Sequence, residues 1–167
     1  AYFEFGEMAL TLTGASNVSV QHMRSDKPLL HRLPVRFHNV AGLDIRDSWF
    51  TASERPTLDL REVSGVHLEG NTFYRGAHQV ILVRATGGVE IRGNAFLEYR
   101  DHAIHRQDEW GGGGNTGNNH DAGGILLEDN TFETADRNLV AIELHQYRGV
   151  TVRGNSAHYT NKTDERS

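Results

Sequence analysis

At 167 residues the chain has the length of one domain, and 37% hydrophobic against 23% charged residues is an ordinary composition able to bury a core. A net charge of −5 argues against nucleic acid as a partner, because a phosphate backbone selects a basic face. The lack of cysteine removes disulfides and thiolate metal sites, and no apolar run reaches the ~20 residues of a membrane-spanning helix.

Taken in chain order, the sequence repeats. Alternating apolar segments follow a Gly or Asn at six places: NVSVQHM from Asn17, GLDIRDSWF from Gly42, GVHLEGNTF from Gly65, GVEIRGNAF from Gly88, GILLEDNTF from Gly124 and GVTVRGNSA from Gly149. The period is about 23 residues, with one insertion of about 13 between the fourth and fifth segments. A second alternation precedes each marker, as LTL at Leu10–Leu12, VRF at Val35–Phe37, LDL at Leu58–Leu60, ILV at Ile81–Val83 and IEL at Ile142–Leu144. Ile104–Arg106 is the equivalent in the remaining coil, and Phe50, Phe73, Phe96 and Phe132 mark a third apolar touch. Two alternating strands and a short third one per repeat predict an all-β chain: a parallel β-helix of about six coils, with three short strands each. Period two puts Val, Ile and Leu inside and polar groups outside. A helical reading fails, because the runs are short, β-branched and punctuated by Gly and Asn every dozen residues.

Two columns follow from this register. Asn71, Asn94, Asn130 and Asn155 share a turn position, where stacked amides can hydrogen-bond and tolerate a left-handed backbone. Arg46, Glu69, Arg92, Glu128 and Arg153 form an outward column of alternating sign, which attracts between coils ~4.8 Å apart. The β-helix is expected to occupy residues 1–160, with a long loop at 107–123 and a polar tail at 161–167. Phe3 and Phe5 begin partway through a coil, and no amphipathic cap follows Asn155. Further coils of the same protein are therefore expected beyond both ends.

The recurring G-V-x-I-x-G-N-x-F coil resembles the right-handed β-helix repeat of the pectate-lyase-like superfamily, which includes polygalacturonase-type hydrolases, alginate epimerases and lyases, and phage tailspikes. The resemblance implies a right-handed, carbohydrate-active protein of extracellular or periplasmic location, with poly- or oligosaccharide as partner and no membrane. It also implies a substrate cleft on the outer face of the first sheet, the one that holds LDL, ILV and IEL. Within the superfamily, ILVRATGGVEIRGNAF followed by AIHRQDEW is similar to glycoside hydrolase family 110, the α-1,3-galactosidases. That similarity makes Asp108 and Glu109 the acid cluster and Trp110 the sugar platform.

On the first sheet the outward columns read Thr11, Arg36, Asp59, Leu82, His105, Glu143 and Thr13, His38, Arg61, Arg84, Gln107, His145. The insertion leaves the end of this strand and adds Asp108, Glu109, Trp110, His120 and Asp121. Arg106 falls on an inward position, so the strand is expected to open there into the loop. Catalytic candidates are Asp108, Glu109, Glu143 and His105, and substrate-binding candidates are Trp110, Arg61, Arg84, His145 and Asp121. An inverting glycosidase needs two carboxyls roughly 6.5–9.5 Å apart, which Asp108 or Glu109 with Glu143 or Asp121 would supply. A uronate lyase or epimerase needs a cation and a base, available from Arg61, Arg84 and His105 or His145. A non-catalytic tailspike, adhesin or surface fibre is the third reading. No spacing among the histidines predicts zinc, and His22, His31, His67, His78 and His158 read as surface residues. No cofactor is expected, calcium at Asp108, Glu109 and Asp121 being the one ion the loop could take.

Overall fold

The computed structural model describes residues 2–3, 10–25, 35–51, 56–107, 123–136, 139–144 and 149–160. Every regular element among them is a strand, every pairing is parallel, and the strands stack into a β-solenoid of about five turns. The seven-stranded third sheet runs in coil order from Tyr2–Phe3 through Arg24–Ser25, Trp49–Thr51, Thr72–Tyr74, Ala95–Leu97 and Thr131–Thr134 to Ser156–Tyr159. The first and second sheets are joined early in the chain, because Leu10–Gln21 and Val35–Arg46 each run unbroken through both. Later coils break at the corner into pairs such as Leu58–Arg61 with Ser64–Glu69, and His78–Val83 with Thr86–Arg92.

Alternation explains the core. Leu43, Val66, Val89 and Ile125 are in register on the second sheet, as are Ile45, Leu68, Ile91 and Leu127, and all eight are buried. Val35, Leu58 and Val80, with Phe37, Leu60 and Leu82, do the same on the first. The third sheet contributes a column of rings: Phe50, Phe73, Phe96 and Phe132 stack with centroids 5.3, 5.0 and 5.0 Å apart and planes within 11°. Coil spacing and offset ring stacking thus favour the same register.

The asparagine column is continuous, and Asn71, Asn94 and Asn130 in it are buried. Asn71 Nδ2 donates to Asn94 Oδ1 at 3.0 Å, Asn94 Nδ2 to Asn130 Oδ1 at 3.1 Å, and Asn130 Nδ2 to Asn155 Oδ1 at 2.9 Å. Each receiving oxygen also accepts the backbone N–H of the residue one coil below, so the amides satisfy turn groups that no ladder could reach. Ser48 replaces Asn in the coil before, accepting the Met23 N–H at its Oγ and donating its own N–H to Asn71 Oδ1. The left-handed residue is the one before each amide, not the amide itself: Asp47, Gly70, Gly93, Asp129 and Gly154, with φ from 47° to 64°. The outward charge column also forms, with Arg46–Glu69 at 3.1 Å, Arg92–Glu128 at 3.4 Å and Arg153–Glu128 at 2.6 Å.

Two registers differ from the sequence reading. Residues 79–83 are Gln-Val-Ile-Leu-Val, with no polar residue within the apolar run to set its parity, and the observed pairing puts Asp59 opposite Ile81 and Arg61 opposite Val83. Leu82 therefore points inward with Leu60. Arg84 sits in the corner turn at φ 51°, not in the Arg61 column. Arg106 does take the inward place, opposite Leu82 and 2% exposed, but the strand runs on through Gln107 and does not open there.

Candidate functional site

The outer face of the first sheet breaks strict alternation in one region. His102 pairs with His78 and Ile104 with Val80, and no pair joins Ala103 to Gln79. Ala103 and Ile104, adjacent in sequence, are both fully buried, and both donate their N–H to Ala141 O at 3.0 Å. Two residues facing one define a β-bulge, which turns the following residue back to the side of the one before it. The coil below shows the same step: Gln79 and Val80 are both buried, and Gln79 Nε2 donates inward to Phe73 O at 3.0 Å and Leu97 O at 2.7 Å. Positions i and i+3 then share the outer face. His78, His102 and His105 meet there.

The three imidazoles form a compact group. Ring centroids are 5.4 Å apart for His78–His102, 4.9 Å for His78–His105 and 4.9 Å for His102–His105. One ring nitrogen from each lies within 4.8 Å of the others. Their side chains are 14–15% exposed, so they are shielded yet reachable. Two carboxylates border them. Asp101 stands on one side, its Oδ1 2.9 Å from His102 Nδ1 and its Oδ2 3.3 Å from His78 Nε2. On the other, Glu143 Oε2 lies 2.8 Å from His102 Nε2 and 3.6 Å from His105 Nε2. Burial holds the His78 imidazole below its ordinary range; Asp101 and Glu143 pull upward, while a charge on His105 or His102 pushes down. Such an arrangement can pass protons between carboxylate and imidazole, and its three nitrogen donors are grouped as metal ligands are.

Of the residues singled out from sequence, His105 and Glu143 are neighbours in this group, paired across adjacent coils. Arg61 is on the same face, but its Nε is held by Asp59 Oδ1 at 2.9 Å. Arg36 Nε grips the same buried carboxylate at 3.0 Å. Arg84 is elsewhere, its Nη1 3.1 Å from Glu62 Oε1 at the corner. Asp108, Glu109, Trp110, Asp121 and His145 lie outside the described residues, as does the remainder of the 108–122 loop.

His78, His102 and Asp101 were missed. Period two assigns His102 and His105 to opposite faces, and only a bulge cancels that. Aligning HQVI at 78–81 with HAIH at 102–105 from the strand starts would have stacked His78 on His102. His78 is a member of the group and not a lone surface residue.

No family model, no curated protein and no solved structure matches the chain.

Proposed function

We propose that this β-solenoid cleaves glycosidic bonds in a poly- or oligosaccharide, with the group around His102 as its acid–base centre. The observation that carries the reading is the pair of carboxylates, Asp101 and Glu143, on the two nitrogen sides of one imidazole. Inverting glycosidases keep two carboxyls apart, one as acid and one as base, and Asp101 and Glu143 are likewise kept from direct contact by the imidazole between them. Glu143 serves as the base toward the attacking water. Asp101 takes the acid role in which the sequence put Asp108 or Glu109. His105 stabilises the ionised Glu143. Stacked coils give the first sheet an extended outer face, along which a polymer could lie.

A uronate lyase is the second reading, favoured by Arg36 and Arg61. Both guanidiniums are about one-third exposed while sharing one carboxylate, so the three groups keep a net positive charge. The test is a screen of neutral and acidic polysaccharides, following release of reducing ends and absorbance of unsaturated products. Reducing ends without unsaturation, lost on the order of 100-fold or more in Glu143→Gln, support the hydrolase. Unsaturated products transfer the reading to the lyase. Cleavage undiminished in both Glu143→Gln and Asp101→Asn removes the acid–base centre from this group.

A further inference from the structure

We propose that His78, His102 and His105 together bind one divalent transition metal of the zinc class. This deepens the preceding reading, since it rests on the same group being the functional centre, but it stands on separate observations.

The first is the donor set. Three imidazole nitrogens, one per residue, converge within 4.8 Å. A tetrahedral zinc with Zn–N of about 2.0–2.1 Å needs its nitrogens about 3.4 Å apart, so closure asks for shifts of about an ångström. Side chains on the outer face of a strand can make such shifts by rotation, without disturbing the core. Nitrogen donors select zinc, copper, nickel or cobalt over calcium and magnesium, which prefer oxygen.

The second is the position of the carboxylates. Metal-bound histidines ordinarily give their other ring N–H to a carboxylate, which fixes the tautomer and raises the basicity of the ligating nitrogen. Asp101 is near enough to take that place, its Oδ1 2.9 Å from His102 Nδ1 and its Oδ2 3.3 Å from His78 Nε2, and a small rotation of either group would turn the first contact into a hydrogen bond. Glu143 is on the opposite side, close to the Nε2 atoms of His102 and His105. There it can accept a hydrogen bond from water in a fourth coordination position. The two carboxylates would balance the charge of the ion.

The third is the shape of the cluster. A structural ladder on a solenoid stacks one residue per coil, as the Phe and Asn columns do, and the parallel rings of His78 and His102 fit such a ladder at 13°. His105 does not. It comes from the same strand as His102 and meets both rings at 4.9 Å, tilted by 52° and 39°. A bulge at Ala103–Ile104 brings it there, where a simple ladder needs none. Convergence from one strand and its neighbour makes a three-point site.

The experiment titrates zinc chloride into the chelator-stripped protein by calorimetry, with metal content measured after dialysis, and repeats the titration with cobalt chloride to read the visible spectrum. The expected result is one ion per chain and, for cobalt, the intense absorption of a four-coordinate nitrogen site. His102→Ala and His105→Ala each abolish binding, whereas Asp101→Asn weakens it by roughly 10–100-fold as the loss of an orienting carboxylate does. His67→Ala, on the second sheet, leaves it unchanged, and circular dichroism confirms that each variant is folded. Absence of stoichiometric zinc, or zinc that survives in the folded His102→Ala and His105→Ala proteins, overturns the proposal. The two readings separate cleanly. Zinc bound with no polysaccharide cleaved sinks the glycosidase and leaves the metal site; cleavage by a protein that takes up no zinc does the reverse.

Discussion

The second and third sheets and the outer face of the first are built from the same repeat, yet they obey it to different degrees. On the second and third sheets several columns repeat one role from coil to coil, among them the rings from Phe50 to Phe132 and the amides from Asn71 to Asn155, while the outward column Asp44, His67, Glu90, Leu126 and Thr151 varies. On the first sheet the columns change character at every coil. Arg36, Asp59, Ile81, His105 and Glu143 follow one another in a single register. A column that only has to hold coils together keeps repeating whatever stacks well. What sets the first sheet apart is the bulge at Ala103–Ile104, which brings two histidines of one strand to one side.

The comparison can be broken from the ladder side, where the largest effects are expected. Ile91→Asp puts a charge among fully buried residues of three coils and should prevent folding, seen as loss of the strand signal in circular dichroism. Phe96→Ala removes the ring between Phe73 and Phe132 and should cost about 3–5 kcal/mol in denaturant unfolding. Asn94→Ala comes next. It strips the acceptor from both Asn71 N–H groups and the donor from Leu68 O, and buried groups left unpaired should together cost about 3 kcal/mol. Glu69→Arg is the smallest. It replaces the partner of Arg46 with a like charge, and the lowering of the thermal midpoint should shrink as salt is raised. An effect indifferent to salt would mean that these side chains do not face one another across coils.

How much was legible in the sequence divides along the same line. The Gly42 and Gly65 markers, the Phe touches and the Asn column are each repeated several times, so period and register could be read from their recurrence, and the solenoid with them. The left-handed turn was misplaced by one residue, because the position that takes it holds Asp in some coils (Asp47, Asp129) and Gly in others (Gly70, Gly93, Gly154), while the Asn beside it recurs. On the first sheet recurrence fails. The apolar run at 80–83 has nothing to mark which residues face outward, so Leu82 and Arg84 were taken for outward neighbours where Ile81 and Val83 stand. His102 and His105 are three apart, and strand periodicity separates them unless a bulge intervenes. That bulge rests on paired backbone donors converging on Ala141 O, which no side-chain pattern announces. Glu143 and His105 were found because their coil positions match; His78 and Asp101 precede the regular part of their strands and were not.

Stability in the ladders and the proposed activity on the bulged face are expected to be separable properties. The most direct test measures, on the same preparations, the thermal midpoint and the cleavage rate per folded molecule for Asn94→Ala and for His102→Ala, using the polysaccharide that the screen identifies. A double dissociation is expected. Asn94→Ala melts far earlier but cleaves normally while folded, and His102→Ala keeps its midpoint while losing on the order of 100-fold or more in rate. A His102→Ala protein that melts with Asn94→Ala and cleaves at the parent rate while folded would contradict it, and would make the histidines one more ladder of the solenoid.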